Sequence, residues 1–479
     1  MICNMTSGSP ARRIIRFSIP LLIGNLLQQL YLVADMAIVS RTLGLPVMAA
    51  IGSTGALGFL IFGFYFGLTN GFTVITAQRF GAGDFAGVRR SAAVSTALGG
   101  AAAVAGMALF LPLVGWMFRF MHTPEEIRGD AVVFFTILCW GMGATMFYNL
   151  LACLIRALGD SWTPLWFLMA ATILNIVLDL LFILVFGWGV AAVASAMIIS
   201  QTTSGLLCLW YIFRHYPMLR PAAADWKFDP AFVWEHLRVA LPMACQFSIT
   251  AIGVVVMQQQ VNGFGTATVA AFTAGARIEQ LAVQPMFTLG IAVATFTAQN
   301  YGAGQIDRVR AGVRQSTLIS LSWCVASGIV LAAFSRELVG IFIDTGAEPA
   351  ATEQARNYIY MTTALFVILG QLFIYRNALQ GIGRPFVPMM AGVVELAVRI
   401  AASLCLAPLF GYLGAFWATP LAWVGATVLL AAAYFTVNRR LSGSLPAAIA
   451  ARTHAGPRPE AAREVVLVGE AEQRRDLLD

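Results

Sequence analysis

Long apolar runs recur along this chain, and their length sets the first expectation. The hydrocarbon core of a bilayer is about 30 Å thick, so a spanning helix takes roughly 20 apolar residues. Segments of that kind occupy 17–40, 49–77, 91–118, 131–155, 164–187 and 190–213, then 235–261, 269–299, 314–342, 357–380, 386–409 and 413–437. Short polar or Gly/Pro-bearing loops separate them. A lipid-exposed backbone must satisfy its own hydrogen bonds, and these runs are too long for barrel strands, so they predict helices. The pattern predicts an all-α polytopic membrane protein with twelve transmembrane helices. After about Arg440 it stops, and residues 438–479 read as a charged tail with no fold of their own.

The same pattern repeats in its details. RRIIRFSIPLL at 12–22 resembles WEHLRVALPMA at 234–244, with Pro20 matching Pro242. AQRFGAGD at 77–84 is echoed by AQNYGAGQ at 298–305, and RALGDSWTP at 156–164 by QGIGRPFVP at 380–388. Three matches in order, each offset by about 222 residues, indicate a duplicated unit. The expected organisation is an N-lobe over 1–213, a linker over 214–234 and a C-lobe over 235–437. Six spans is an even number, so the two repeats are parallel and both begin on the same side. That layout suits a transporter with its cavity between the halves; a static channel or scaffold could share it.

Composition agrees with the spans: 59% of the 479 residues are hydrophobic and 11% charged. The formal net charge of +7 reads as topology rather than as a nucleic-acid footprint. Arg12, Arg79, Arg90, Arg214, Lys227, Arg308, Arg376, Arg384 and Arg440 fall on one side of a twelve-span arrangement, while the opposite loops mix Arg119 and Arg128 with Glu125, Glu126 and Asp130. The positive-inside rule then puts both termini in the cytoplasm. Seven cysteines scattered singly suggest neither a disulfide framework nor a metal site, and four histidines far apart give no metal-ligand spacing. The repeated GAG segments lack the GxxxxGK pattern of a phosphate loop and read as turns between helices.

Few ionisable residues lie deep in a span: Asp35, Asp179, Arg277, Glu279, Glu395 and Arg399. A charge at the bilayer centre costs several kcal/mol, so each needs a partner or a water-filled cavity. At 1.5 Å per residue, Asp35 lies roughly 27 Å and Asp179 roughly 22 Å from the start of its span, which puts them at one level. Tyr31 and Asp35, and Asn175 and Asp179, are i, i+4 pairs, so a four-residue polar cluster is expected. Two carboxylates together in a poorly solvated pocket cannot both ionise cheaply, a property suited to taking up and releasing a cation. Hydrogen bonding that merely fixes helix packing is the alternative. In the second half, Glu395 and Arg399 can pair within one helix, whereas Arg277 and Glu279 face different directions. A polar network linking the eighth and eleventh helices is the expectation there.

Taken together, FSIPLLIGNLLQQLYLVADMAIVSRTLG, the doubled AQxxGAG turns, LIRALGD, LNIVLDLL and GVAAVASAMIISQ resemble multidrug and toxin extrusion (MATE) transporters over roughly residues 5–437. The resemblance implies two six-helix lobes and export of organic, often cationic or amphipathic, compounds in exchange for protons or sodium ions. It implies an N-lobe cation site at Asp35, Asn175 and Asp179 with Tyr31 nearby, and a hinge at Pro20 in the first helix. Gln258, Gln259 and Gln260 stand in the seventh helix where sodium-coupled and eukaryotic members carry an acid, which aligns this chain with the DNA-damage-inducible-like and MepA-like bacterial branches.

The resulting expectation is a proton-coupled antiporter of the inner membrane, monomeric, surrounded by lipid and binding small organic substrates. It has no enzymatic role, no cofactor, no metal and no nucleic-acid partner. Sodium coupling and a flippase for lipid-linked precursors are the alternatives.

Overall fold

The computed structural model describes residues 4–441, and the expected tail beyond them lies outside the described residues. The described chain is helical, with ten helices long and apolar enough to cross a membrane and two bent pairs that bring the number to twelve. In chain order these are α1 (Pro10–Thr42), α2 (Gly55–Gly81), α3 (Phe85–Phe120), α4 (Glu125–Trp140 with Met142–Ala157), α5 (Trp162–Leu184) and α6 (Val190–His215). The second set is α7 (Pro230–Asn262), α8 (Thr266–Gly302), α9 (Ile306–Ala333), α10 (Pro349–Ala364 with Phe366–Gly381), α11 (Phe386–Phe410) and α12 (Tyr412–Leu441). A short helix, Leu45–Ser53, joins α1 to α2.

Local chemistry explains where these helices begin and end. Proline at the first position opens α1 and α7, where its missing N–H is no loss, and the Asp229 side chain accepts a hydrogen bond from Ala231 N at 3.1 Å. Both GAG segments close their helices in the same way. Gly83 and Gly304 take φ of 71° and 72°, a left-handed conformation open to glycine. The amide of the next residue then returns to a carbonyl five residues back, Asp84 N to Arg79 O at 3.0 Å and Gln305 N to Asn300 O at 2.9 Å, as in a Schellman cap. Two spans that the hydropathy pattern presents as continuous are broken: α4 bends by 49° at Gly141 and α10 by 50° at Leu365, corresponding places in the two repeats.

The repeats are parallel, since α2 and α8 both end in a GAG turn at one end of the bundle. There the halves meet. Gly67 and Gly71 of α2 let its backbone lie against Met243, Ala244 and Ala240 of α7. A side chain at Gly81 would run into the carbonyl of Gln299, and one at Gly302 into that of Gln78. The two glutamines complete a symmetric clasp: Gln78 donates to Gly381 O and Gln299 to Ala157 O, each at 2.8 Å. Each half has its own apolar core, with exchanges at the seam: Met5, Ile14 and Phe17 from the start of the chain pack into the core of the second half, Ala240 and Ala244 of α7 into that of the first, and a smaller cluster joins Val74, Ile75 and Ala157 to Val239, Met243 and Ala298. Farther from the clasp, α1 and α7 expose apolar side chains such as Leu30, Val33, Val254 and Val255.

Candidate functional site

In the first half, α1 and α5 pack together, with Gly24 of α1 against Leu165 and Leu168 of α5. Spacing of four residues on each helix then brings Tyr31 opposite Asn175 and Asp35 opposite Asp179. Asp35, Asn175 and Asp179 are buried, at 7%, 3% and 0% exposure, and Tyr31 is half-buried. No hydrogen bond ends on Asp35 Oδ1, on either side-chain atom of Asn175 or on either carboxylate oxygen of Asp179. Buried polar atoms ordinarily find partners. Two opposed carboxylates with so few donors can hold a shared proton or accept a cation, and they repel each other when both are ionised. Among the described residues, no three His, Cys, Asp or Glu side chains are grouped as a metal site would require. Pro20, buried in α1, lies inside a helix that continues from Pro10 to Thr42.

The second half holds a different arrangement. Glu395 accepts from Arg399 at 2.9 Å and from Arg376 at 3.0 Å, and all three are buried. Glu279 of α8 accepts a short hydrogen bond from Tyr358 of α10. The hydrogen-bonded ion pairs join α10 to α11, and Glu279 lies near enough to Arg399 for their charges to attract, so the expected link between α8 and α11 is present through Glu279, whereas Arg277 takes no part in it. Arg376 is not among the loop charges, where its position in the sequence puts it: it lies inside the bundle and is paired with Glu395. Its place near the end of an apolar run made it look like a flank. The pairing of Glu395 with Arg399 follows from their i, i+4 spacing.

Aligning the repeats residue by residue shows how the two sites correspond. RALGD over QGIGR sets Ala171, Asn175 and Asp179 against Glu395, Arg399 and Ser403, and RRIIR over WEHLR sets Tyr31 and Asp35 against Gly253 and Met257. The structure keeps this register. Asn175 faces Tyr31, and at the matching place the guanidinium of Arg399 lies against Gly253, where a Cβ would collide with it. Where the first half opposes two acids, the second has Met257 and Ser403. A tethered cation, Arg399, already stands one turn away, neutralised by Glu395.

A duplicated twelve-span bundle is the layout of a membrane transporter, and a buried, sparsely bonded acid pair inside it marks a candidate functional site. Comparison with known proteins places it further. The MatE family model matches residues 20–181 and 239–404, one stretch in each repeat, and the chain belongs to that family. A Bacillus subtilis protein named "Probable multidrug resistance protein YpnP" is 28% identical over 383 residues, 79% of this chain and 84% of that one. The "FAD transporter" of Shewanella oneidensis is 25% identical over 421 residues, 86% of this chain and 90% of that one. A solved structure described as MATE in the bent conformation superposes with a TM-score of 0.86 at 22% identity, covering 92% of this chain and 98% of that chain. Members of the family are transporters and not enzymes, so this chain is a multi-pass membrane transporter.

Proposed function

We propose that the protein is a secondary active antiporter that exports small organic compounds, often cationic or amphipathic, in exchange for protons. The observation that carries this reading is the opposed pair Asp35 and Asp179, buried between α1 and α5 with hardly a hydrogen bond. Protonation of the pair removes their repulsion and changes the packing of α1 on α5, and α1 also packs on α8 across the cleft. Pro20 lacks one backbone hydrogen bond and is the natural place for α1 to bend. With the clasp holding the halves together at the GAG end, the substrate cleft in this reading lies between the halves and opens to the opposite side. With both termini cytoplasmic and the chain a monomer in the inner membrane, that side is the exterior. Relatives named as multidrug resistance proteins support organic cargo, and one named FAD transporter extends the family's cargo beyond drugs.

The test is transport in proteoliposomes free of sodium. An imposed pH gradient should drive movement of a dye such as rhodamine 6G, and Asp35→Asn should stop it. Movement that ignores the pH gradient and follows a sodium gradient would replace the proton by sodium, with Tyr31, Asp35, Asn175 and Asp179 supplying oxygens to the ion.

A further inference from the structure

Arg277 is a charge in a transmembrane helix that the ion network of the second half leaves out. It lies 11 residues from Thr266, the first residue of α8, which at 1.5 Å per residue is roughly 16 Å inward from that end. Its side chain is exposed, and no hydrogen bond or ion pair to it is found among the described residues. An unpaired guanidinium at such a depth costs several kcal/mol in lipid, so it belongs beside water or an anion.

The packing of α8 shows which way it faces. Gly275 and Glu279 turn to Tyr358 of α10, and Ala282 and Met286 turn to Trp323 and Cys324 of α9. Arg277 lies on the opposite side of the helix, away from its own half. Thr288 lies on that side too, and it accepts a hydrogen bond from Asn25 of α1 at 3.3 Å. Thr273, Gln280 and Gln284 share the face with Arg277, each within about 60° of it at 100° per residue, together with the exposed Leu281, so the face is mixed polar and apolar as an amphiphile would need. A face of this kind turned to the other half lines the cleft rather than the bilayer. From the Asn25–Thr288 contact, Asp35 is 10 residues farther along α1 and Arg277 is 11 residues back along α8. The two helices run in opposite directions, so both residues are about 15 Å from that contact and at one level.

We propose that Arg277 is the recognition residue for an anionic oxygen group, a carboxylate or phosphate, on the exported compound. The wall formed by α8 then selects zwitterionic or acidic amphiphiles and not cations alone. A guanidinium forms a two-pronged contact with such a group, and Gln280 and Gln284 supply neutral donors beside it. This inference rests on the cleft being the substrate path.

The experiment uses a matched pair of probes on the full chain in nanodiscs: rhodamine B, with a free carboxylate, and its ethyl ester, with the carboxylate masked. Arg277→Ala should weaken rhodamine B binding by about tenfold and leave the ester within about twofold, and Arg277→Lys should recover part of the loss. Unchanged ester binding also reports that the variant is folded. Equal losses for both probes, no loss for the acid, or no binding of the acid by the unaltered protein would each overturn the proposal. Binding of the acid through Arg277 in a protein that moves no dye on a pH gradient would overturn the antiport reading and leave this one standing.

Discussion

Two halves of one chain, built on one repeat, have put opposite chemistry at the same place. Between α1 and α5, two carboxylates face each other with few hydrogen bonds. Between α7 and α11, Gly253 makes room for Arg399, whose charge is met by Glu395, itself held by Arg376. The first site needs something from outside to balance it. The second has its cation bound covalently, as a side chain. Near the GAG turns the halves have not diverged: Gln78 and Gln299 make equivalent bonds to Gly381 and Ala157. Duplication thus preserved the closing surface and separated the roles of the two interiors, one suited to exchanging an ion and the other to holding its helices in register.

The sharpest way to break this comparison is to neutralise the acids. Asp35→Asn and Asp179→Asn should each bring pH-driven dye transport to background while the protein still folds, because a neutral amide is cheaper to bury than a carboxylate. Full transport by either variant would remove that residue from the mechanism. Next in size is Arg399→Ala, which leaves Glu395 with half of its pairing. It should cost about 3 kcal/mol in denaturant unfolding, whereas replacing the ionic cluster by apolar residues of similar volume should recover much of that loss. Gly253→Ala comes after it: a methyl group pressed on the Arg399 guanidinium should cost about 1–3 kcal/mol by the same measurement. The corresponding change in the first half, Tyr31→Phe, adds no volume and should spare stability. Smallest is the clasp. Gln78→Ala should cost about 1 kcal/mol, the loss of one hydrogen bond to a carbonyl, and Gln299→Ala about 2 kcal/mol, since Gln299 also accepts a hydrogen bond from Met5 N. A smaller loss for Gln299→Ala than for Gln78→Ala would contradict this reading of the clasp.

Much of this was legible in the residues because membrane helices obey simple geometry. Run length predicted the twelve spans, and the repeated turns predicted parallel halves. The i, i+4 spacing at equal depth anticipated that Tyr31, Asp35, Asn175 and Asp179 would meet. What could not be read is what depends on approach between distant segments. Arg376 looked like a flanking charge, since nothing local distinguishes an arginine at the end of an apolar run from one inside the bundle. Gly253 has no side chain to betray that a guanidinium needs its space. The bends in α4 and α10 fall within apolar runs whose hydropathy does not change at Gly141 or Leu365. The pairing of Glu279 with Tyr358 joins residues 79 apart in the chain. One signal was available: carrying the repeat alignment down α11 sets Arg399 against Asn175, which marks that position as part of a second, altered site.

In the proposed mechanism, proton exchange belongs to the first half alone. Calorimetric titration of the purified protein with rhodamine 6G, run at one pH in two buffers of different ionisation enthalpy, counts the protons released on binding. Release is expected from the unaltered protein, none from the Asp35→Asn/Asp179→Asn double variant, and undiminished release from Glu279→Gln. Release that persists when Asp35 and Asp179 are both replaced by Asn, or that disappears in Glu279→Gln, would contradict this and move the exchanging group out of the first-half pair.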